Sequence, residues 1–129
     1  ITTINIPLSA VYDHDASDSI INKALHITTT DSISLYASNF EAFTYDITNV
    51  LPTASLGSDY VIQTYVSQSE FSVIAIEDST EVTIELSENS LNHTANTPFI
   101  ITLNAGQCYQ VQSETAVDLS GSVISTYLK

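Results

Sequence analysis

A chain of 129 residues with 43% apolar content and a mean hydropathy of +0.15 has the length of one domain, and it is too apolar to be a disordered acidic tail. Fifteen Asp and Glu face only Lys23 and Lys129, with no Arg, and the formal net charge of −13 excludes nucleic acid and anionic headgroups, both of which need clustered basic residues. Cys108 is the single cysteine, which excludes an intrachain disulfide and a thiolate zinc site, and no stretch approaches the roughly 20 apolar residues of a membrane span, so no membrane insertion is expected.

The chain opens at Ile1, with neither an initiator Met nor the basic and apolar regions of a leader, and reads as a processed or excised piece. Residues 13–19 (DHDASDS) form an acidic loop whose Asp13, Asp15 and Asp18 are candidate calcium ligands, since that cation takes about six to eight oxygens from loops of this kind. The loop lacks the EF-hand glycine and closing Glu, so a merely solvated acidic run is the alternative. Residues 17–25 start with Ser and Asp and predict one turn of helix.

Strand signals dominate from there. Residues 24–29 predict a strand, and 32–37 (SISLYA) and 43–48 (FTYDIT) alternate apolar with polar residues as half-buried strands do. The denser runs 60–66 (YVIQTYV) and 71–76 (FSVIAI) predict central strands covered on both faces. Glu77-Asp78-Ser79-Thr80 reads as a tight hairpin turn into the strand 81–86 (EVTIEL). A long polar loop, 87–98 (SENSLNHTANTP), precedes strands at 99–104, 107–112 and 122–126, and in Asn104-Ala105-Gly106 the glycine is free to take positive φ. No window sustains a helical period. The predicted fold is an all-β antiparallel β-sandwich, Ig-like or jelly-roll-like, forming a single domain over 1–129. An echo of INIPLSAVY and ALHITTT in TLNAGQCYQV and SGSVIST suggests one unit and a fraction of a repeat array.

Alternation also assigns faces. Ile101, Leu103, Ala105, Tyr109 and Val111 form one predicted core face; Phe43, Tyr45 and Ile47 form another, and Tyr60, Ile62 and Val66 a third. Tyr65 and Phe40 are the aromatics expected to be exposed. Cys108 falls opposite its core face, where a nucleophile would draw on His26 or His93 as base; with no local signature around it, an inert, partly covered thiol is expected. Glu77 and Glu81 flank a turn and read as solvent-facing strand ends rather than a glycosidase pair. His14 and His93 fall in loops and His26 on a strand. Asn92-His93-Thr94 is an N-glycosylation sequon in a host that glycosylates secreted proteins. No catalytic constellation outweighs its structural alternative, so no enzyme activity and no cofactor are expected.

The stretch 23–65 (KALHITTTDSISLYASNFEAFTYDITNVLPTASLGSDYVIQTY) resembles the N-terminal domain family of IgGFc-binding proteins, whose members carry phrases of the type ITSD-PISVYA-N and LPT-SLG-EY. The resemblance continues through 69–86, 97–113 and 118–126, and SISLYASNF leans toward bacterial members. The upstream FWVAF-like and downstream PVAVFSG-like segments of the family are absent, so the chain resembles the middle part of a larger domain. The resemblance implies a secreted or cell-surface, non-catalytic interaction or adhesion module that binds a protein or glycoprotein, such as a mucus component or host glycoprotein. It assigns no ligand, because a shared domain does not transfer one. Two other readings are a structural spacer repeat of a large surface protein and a calcium-stabilised carbohydrate-binding module. If the chain ends at Lys129 before its next strand, an unpaired edge is expected to drive self-association.

Overall fold

The computed structural model describes residues 2–7, 10, 17–41, 44–67 and 69–127. In chain order the strands are β1 (Ile20–Ile21), β2 (Leu35–Glu41), β3 (Thr44–Val50), β4 (Asp59–Val61), β5 (Glu70–Ile74), β6 (Thr80–Glu85), β7 (Phe99–Leu103), β8 (Cys108–Gln112) and β9 (Val123–Thr126), with a 3-10 turn at Thr53–Ser55. The chain divides into two units, Ile1–Leu25 with Ser58–Lys129, and His26–Gly57.

The first unit is a β-sandwich of two antiparallel sheets, β1-β8-β5 and β4-β9-β6-β7. Period-two alternation builds it: along β6, Val82 and Ile84 are buried while Glu81 and Glu85 are exposed. Val82, Ile84, Leu103 and Ile124 from the larger sheet meet Ala75, Tyr109 and Val111 from the side of the smaller one, and Leu86 and Leu119 complete the core. Burying each aliphatic side chain contributes about 1.5–3 kcal/mol.

Several sequence expectations are corrected here. Among the described residues, neither 60–66 nor 71–76 is a central strand: β4 and β5 are edges, β4 is exposed throughout, and β5 covers only Phe71 and Val73. The strand buried on both faces is β8. Glu77-Asp78-Ser79-Thr80 is no hairpin, because β5 and β6 belong to different sheets; the turn is a sandwich corner, held by the Thr80 hydroxyl donating to the Glu77 carbonyl at 2.8 Å. Asn104-Ala105-Gly106 is the matching corner between β7 and β8, with Gly106 at φ +79° as its residue type allows and Ala105 exposed in the turn. The Ser79 N–H donates to Asn104 Oδ1 (3.1 Å) and the Ala105 N–H to Asp78 Oδ1 (3.0 Å), so the two corners tie each other. Residues 17–25 hold a strand rather than a helical turn: Ser17 bridges Gln110, Asp18 turns through φ +58°, and β1 pairs with β8. Residues 24–29 form no strand.

At the far end of the unit the phrase Asp118-Leu119-Ser120-Gly121-Ser122 works as a staple. Thr64 Oγ1 and the Ser120 N–H donate to Asp118 Oδ1 (2.7 and 2.9 Å), Thr64 N–H donates to Ser120 Oγ (2.8 Å), and the buried Ser122 hydroxyl donates to the Leu119 carbonyl (2.8 Å). Hydrogen bonds from Ser120 and then Thr64 hold the Asp118 carboxyl below the usual carboxylate range. A depressed acid stabilises the fold above its unfolded pKa. Stability is therefore expected to fall as pH drops through and below about 4, and urea midpoints should fall less steeply with acid in Asp118→Asn.

The second unit is a hairpin in which β2 and β3 pair from Leu35↔Val50 to Glu41↔Thr44, followed by the 3-10 turn after Pro52. Tyr45 and Ile47, assigned above to a core face, are both 61% exposed. Their alternation reports a shared face of the ribbon, which alternation alone does not bury. Phe43 and the Phe40 side chain lie outside the described residues.

Candidate functional site

The densest polar constellation lies where β1, β8 and the loop 87–98 meet, and its centre is Asp18. This carboxylate, its side chain 1% exposed, is delivered inward by left-handed backbone that Asp tolerates better than most residues. Its own N–H donates to the Gln110 carbonyl at 2.8 Å, fixing it to β8. Ser17 Oγ and Asn92 Nδ2 each donate to Oδ2 at 3.2 Å, and Ser90 Oγ approaches both carboxylate oxygens at 3.4 Å. Ser90 is itself held by accepting the His93 N–H at 3.0 Å, which folds the loop tightly around it.

Tyr109, on the core side of β8, directs its hydroxyl into the same group. It hydrogen-bonds Asp18 and lies 2.9 Å from His93 Nε2. A phenol has one proton, so with Asp18 as its acceptor the hydroxyl accepts from Nε2–H in turn. The His93 ring, 27% exposed, stacks on Phe99 at 3.6 Å and 4° between planes, and its Nε2 stands 3.7 Å from Asp18 Oδ1. Burial first, then the Asp18 charge and hydrogen bond, push the Tyr109 hydroxyl up to about 12. A raised acid keeps its proton in the fold, so this contribution is complete below pH 10 and is lost as pH rises from about 10 to about 12. Absorbance at 295 nm should show a tyrosine ionising near pH 12, and that step should be lost in Tyr109→Phe.

Chemically this cluster is a latch of matched donors and acceptors that ties the segment around Ser17 to the loop 87–98 and β8. Among the described residues no buried side-chain nitrogen or oxygen lacks a partner. Of the candidate calcium ligands, Asp13 and Asp15 lie outside the described residues, and Asp18 is the latch carboxylate; no group of three His, Cys, Asp or Glu among the described residues is placed to hold a metal. Cys108 is buried at 6% exposure, more covered than its face suggested. His93 is engaged with Tyr109 and Asp18, and His26 lies exposed in the second unit. Glu77 and Glu81 face solvent, and so does Tyr65, as expected; Val66 and Tyr60 also remain exposed, against their core assignment, and only Ile62 of that run packs on the core. Asn92 of the sequon is exposed while its amide nitrogen donates to Asp18. The latch itself was missed. Its one sequence signal is a tyrosine on a core face, whose hydroxyl needs a buried partner.

Outside the latch, large apolar side chains stand on the surface of both units. Ile74, Ile100, Val61 and Val123 are exposed on the sandwich and Tyr36, Tyr45 and Ile47 on the hairpin. Residues 46–128 match the family described as IgGFc binding protein, a span of more than half the chain, and the chain belongs to that family. No curated protein and no solved structure matches it. The family is one of binding domains with protein partners, typically extracellular, and among the described residues no helix is long and apolar enough to cross a membrane.

Proposed function

We propose that the chain is an extracellular, non-catalytic interaction or adhesion module that contacts a protein or glycoprotein partner, a mucus component or host glycoprotein, through its sheet surfaces and loops. The observation that carries this reading is the pairing of family membership with a sandwich whose internal polar groups are spent on one another while aliphatic side chains stand on its outer faces. A pull-down against mucus glycoproteins and IgG Fc tests it: capture of either supports the module, and capture of neither, with a tandem-repeat parent gene, favours a structural spacer.

Calcium held by Asp13, Asp15 and Asp18 is a further proposal. It requires Asp18 to exchange donors from Ser17 and Asn92 for the ion, so Tm should rise with calcium and fall with chelator; a Tm that neither moves, with a blank glycan array, dismisses the calcium-stabilised sugar-binding reading. Self-association through an unpaired edge strand is the alternative to capture of a partner. A strictly monomeric mass by light scattering at high concentration counts against it.

A further inference from the structure

Among the described residues, the edge strands of the sandwich, β1, β5, β4 and β7, are not equally protected. Natural edges are blunted by shortness, charge or proline. β1 has two residues, β4 has three and begins at Asp59, and β5 begins at Glu70. β7, Phe99–Leu103 (FIITL), has five residues and no charge, with Pro98 just before it rather than within it. Every second residue of an antiparallel edge strand turns its N–H and C=O away from its neighbour. Among the described residues no strand meets those of β7.

Register defines what lies beside that edge. On the outer face Ile100, 62% exposed, stands in a row with Thr83, Ser125 and Asp59, while Thr102 stands beside Glu81, and Glu85 beside Val123 and Val61. Among the described residues the charged groups of this face, Asp59, Glu81 and Glu85, are acidic. On the inner face Phe99 and Ile101 are only partly buried against the core. A strand added to β7 would lie about 4.8 Å from it and about 10 Å from β6, close to the screening length at physiological salt. Its inner residues would extend the cover over Phe99 and Ile101, and its outer residues would feel Glu81 and Glu85.

We infer that β7 receives an extended protein segment that alternates apolar residues with Lys or Arg, adding a fifth strand to the larger sheet. This rests on the module reading above and names the chemistry of its partner. A second copy is the poorer occupant, because pairing β7 with β7 sets two acidic faces edge to edge between chains that each carry −13.

The test uses the whole chain and three blocked peptides: KVKVKVK, its block-ordered isomer KKKKVVV, and EVEVEVE. KVKVKVK is expected to bind, to shift the backbone amide resonances of 99–103, and to weaken steeply with salt. The block isomer and the acidic peptide should bind at least tenfold more weakly, and so should KVKVKVK to the variant carrying Ile100→Lys and Thr102→Lys. Both positions are exposed, so an unchanged amide spectrum elsewhere will show that the variant folds. Equal binding of the block isomer or the acidic peptide, or of KVKVKVK to the variant, overturns the proposal. So does a salt-induced doubling of mass that the variant abolishes, which would give the edge to a second copy. Full capture of a mucus glycoprotein by the variant overturns the edge assignment alone, whereas no capture by the wild-type chain overturns the module reading whatever the peptides do.

Discussion

Ile84→Ala is expected to cost about 3–5 kcal/mol, the upper part of the range for such core truncations. Ile84 is fully buried, and it lies on β6 between partners on two strands, Phe99 on β7 and Ile124 on β9. Main-chain pairing on both sides leaves the site little freedom to collapse, so most of the cavity persists and both the transfer and the cavity contributions are felt. Urea titration reads the loss as a lower midpoint at an unchanged m-value. A loss below about 1 kcal/mol would mean that Ile84 is not central to the core.

Asp18→Ala should cost about 2–4 kcal/mol, because the groups that face the carboxylate lose their shared acceptor at once. Ser17, Asn92 and Tyr109 donate to it, and Ser90 lies at the margin of hydrogen-bonding distance. Asp18→Asn keeps one acceptor oxygen and should cost less. A second readout separates the latch from simple packing. The Asp18 charge and hydrogen bond both raise the Tyr109 hydroxyl, so in Asp18→Ala that tyrosine should ionise at lower pH than in the parent, leaving only the part due to burial. An unchanged tyrosine titration would break the proposed link between the two residues.

The strands themselves were largely legible, because alternation in FTYDIT and EVTIEL reports which side of a strand can be buried. Pairing was not. Glu77-Asp78-Ser79-Thr80 has the residues of a hairpin turn, yet the same turn chemistry serves a corner between sheets, and only the tertiary hydrogen bonds from Ser79 and Ala105 distinguish the two. Tyr45 and Ile47 show the complementary limit, since sharing a face is a local property and burial depends on what packs there. The segment 17–25 has the sequence of a helix start because Ser and Asp open helices, but they also support left-handed turns, and Asp18 adopts the latter. The latch was hidden for a related reason: Asp18, His93 and Tyr109 are distant in sequence, and each had a satisfactory local explanation as loop acid, loop histidine and core aromatic.

We propose that this family member meets its partner through its outer surface rather than at an internal site. The most direct measurement is amide hydrogen exchange across the chain, free and with a captured mucus glycoprotein or Fc. Slowed exchange concentrated at residues 99–103, with the latch around Asp18 unchanged, is the expected result. Saturable capture that leaves β7 unprotected and instead alters exchange around Asp18, Ser90 and His93 would contradict it.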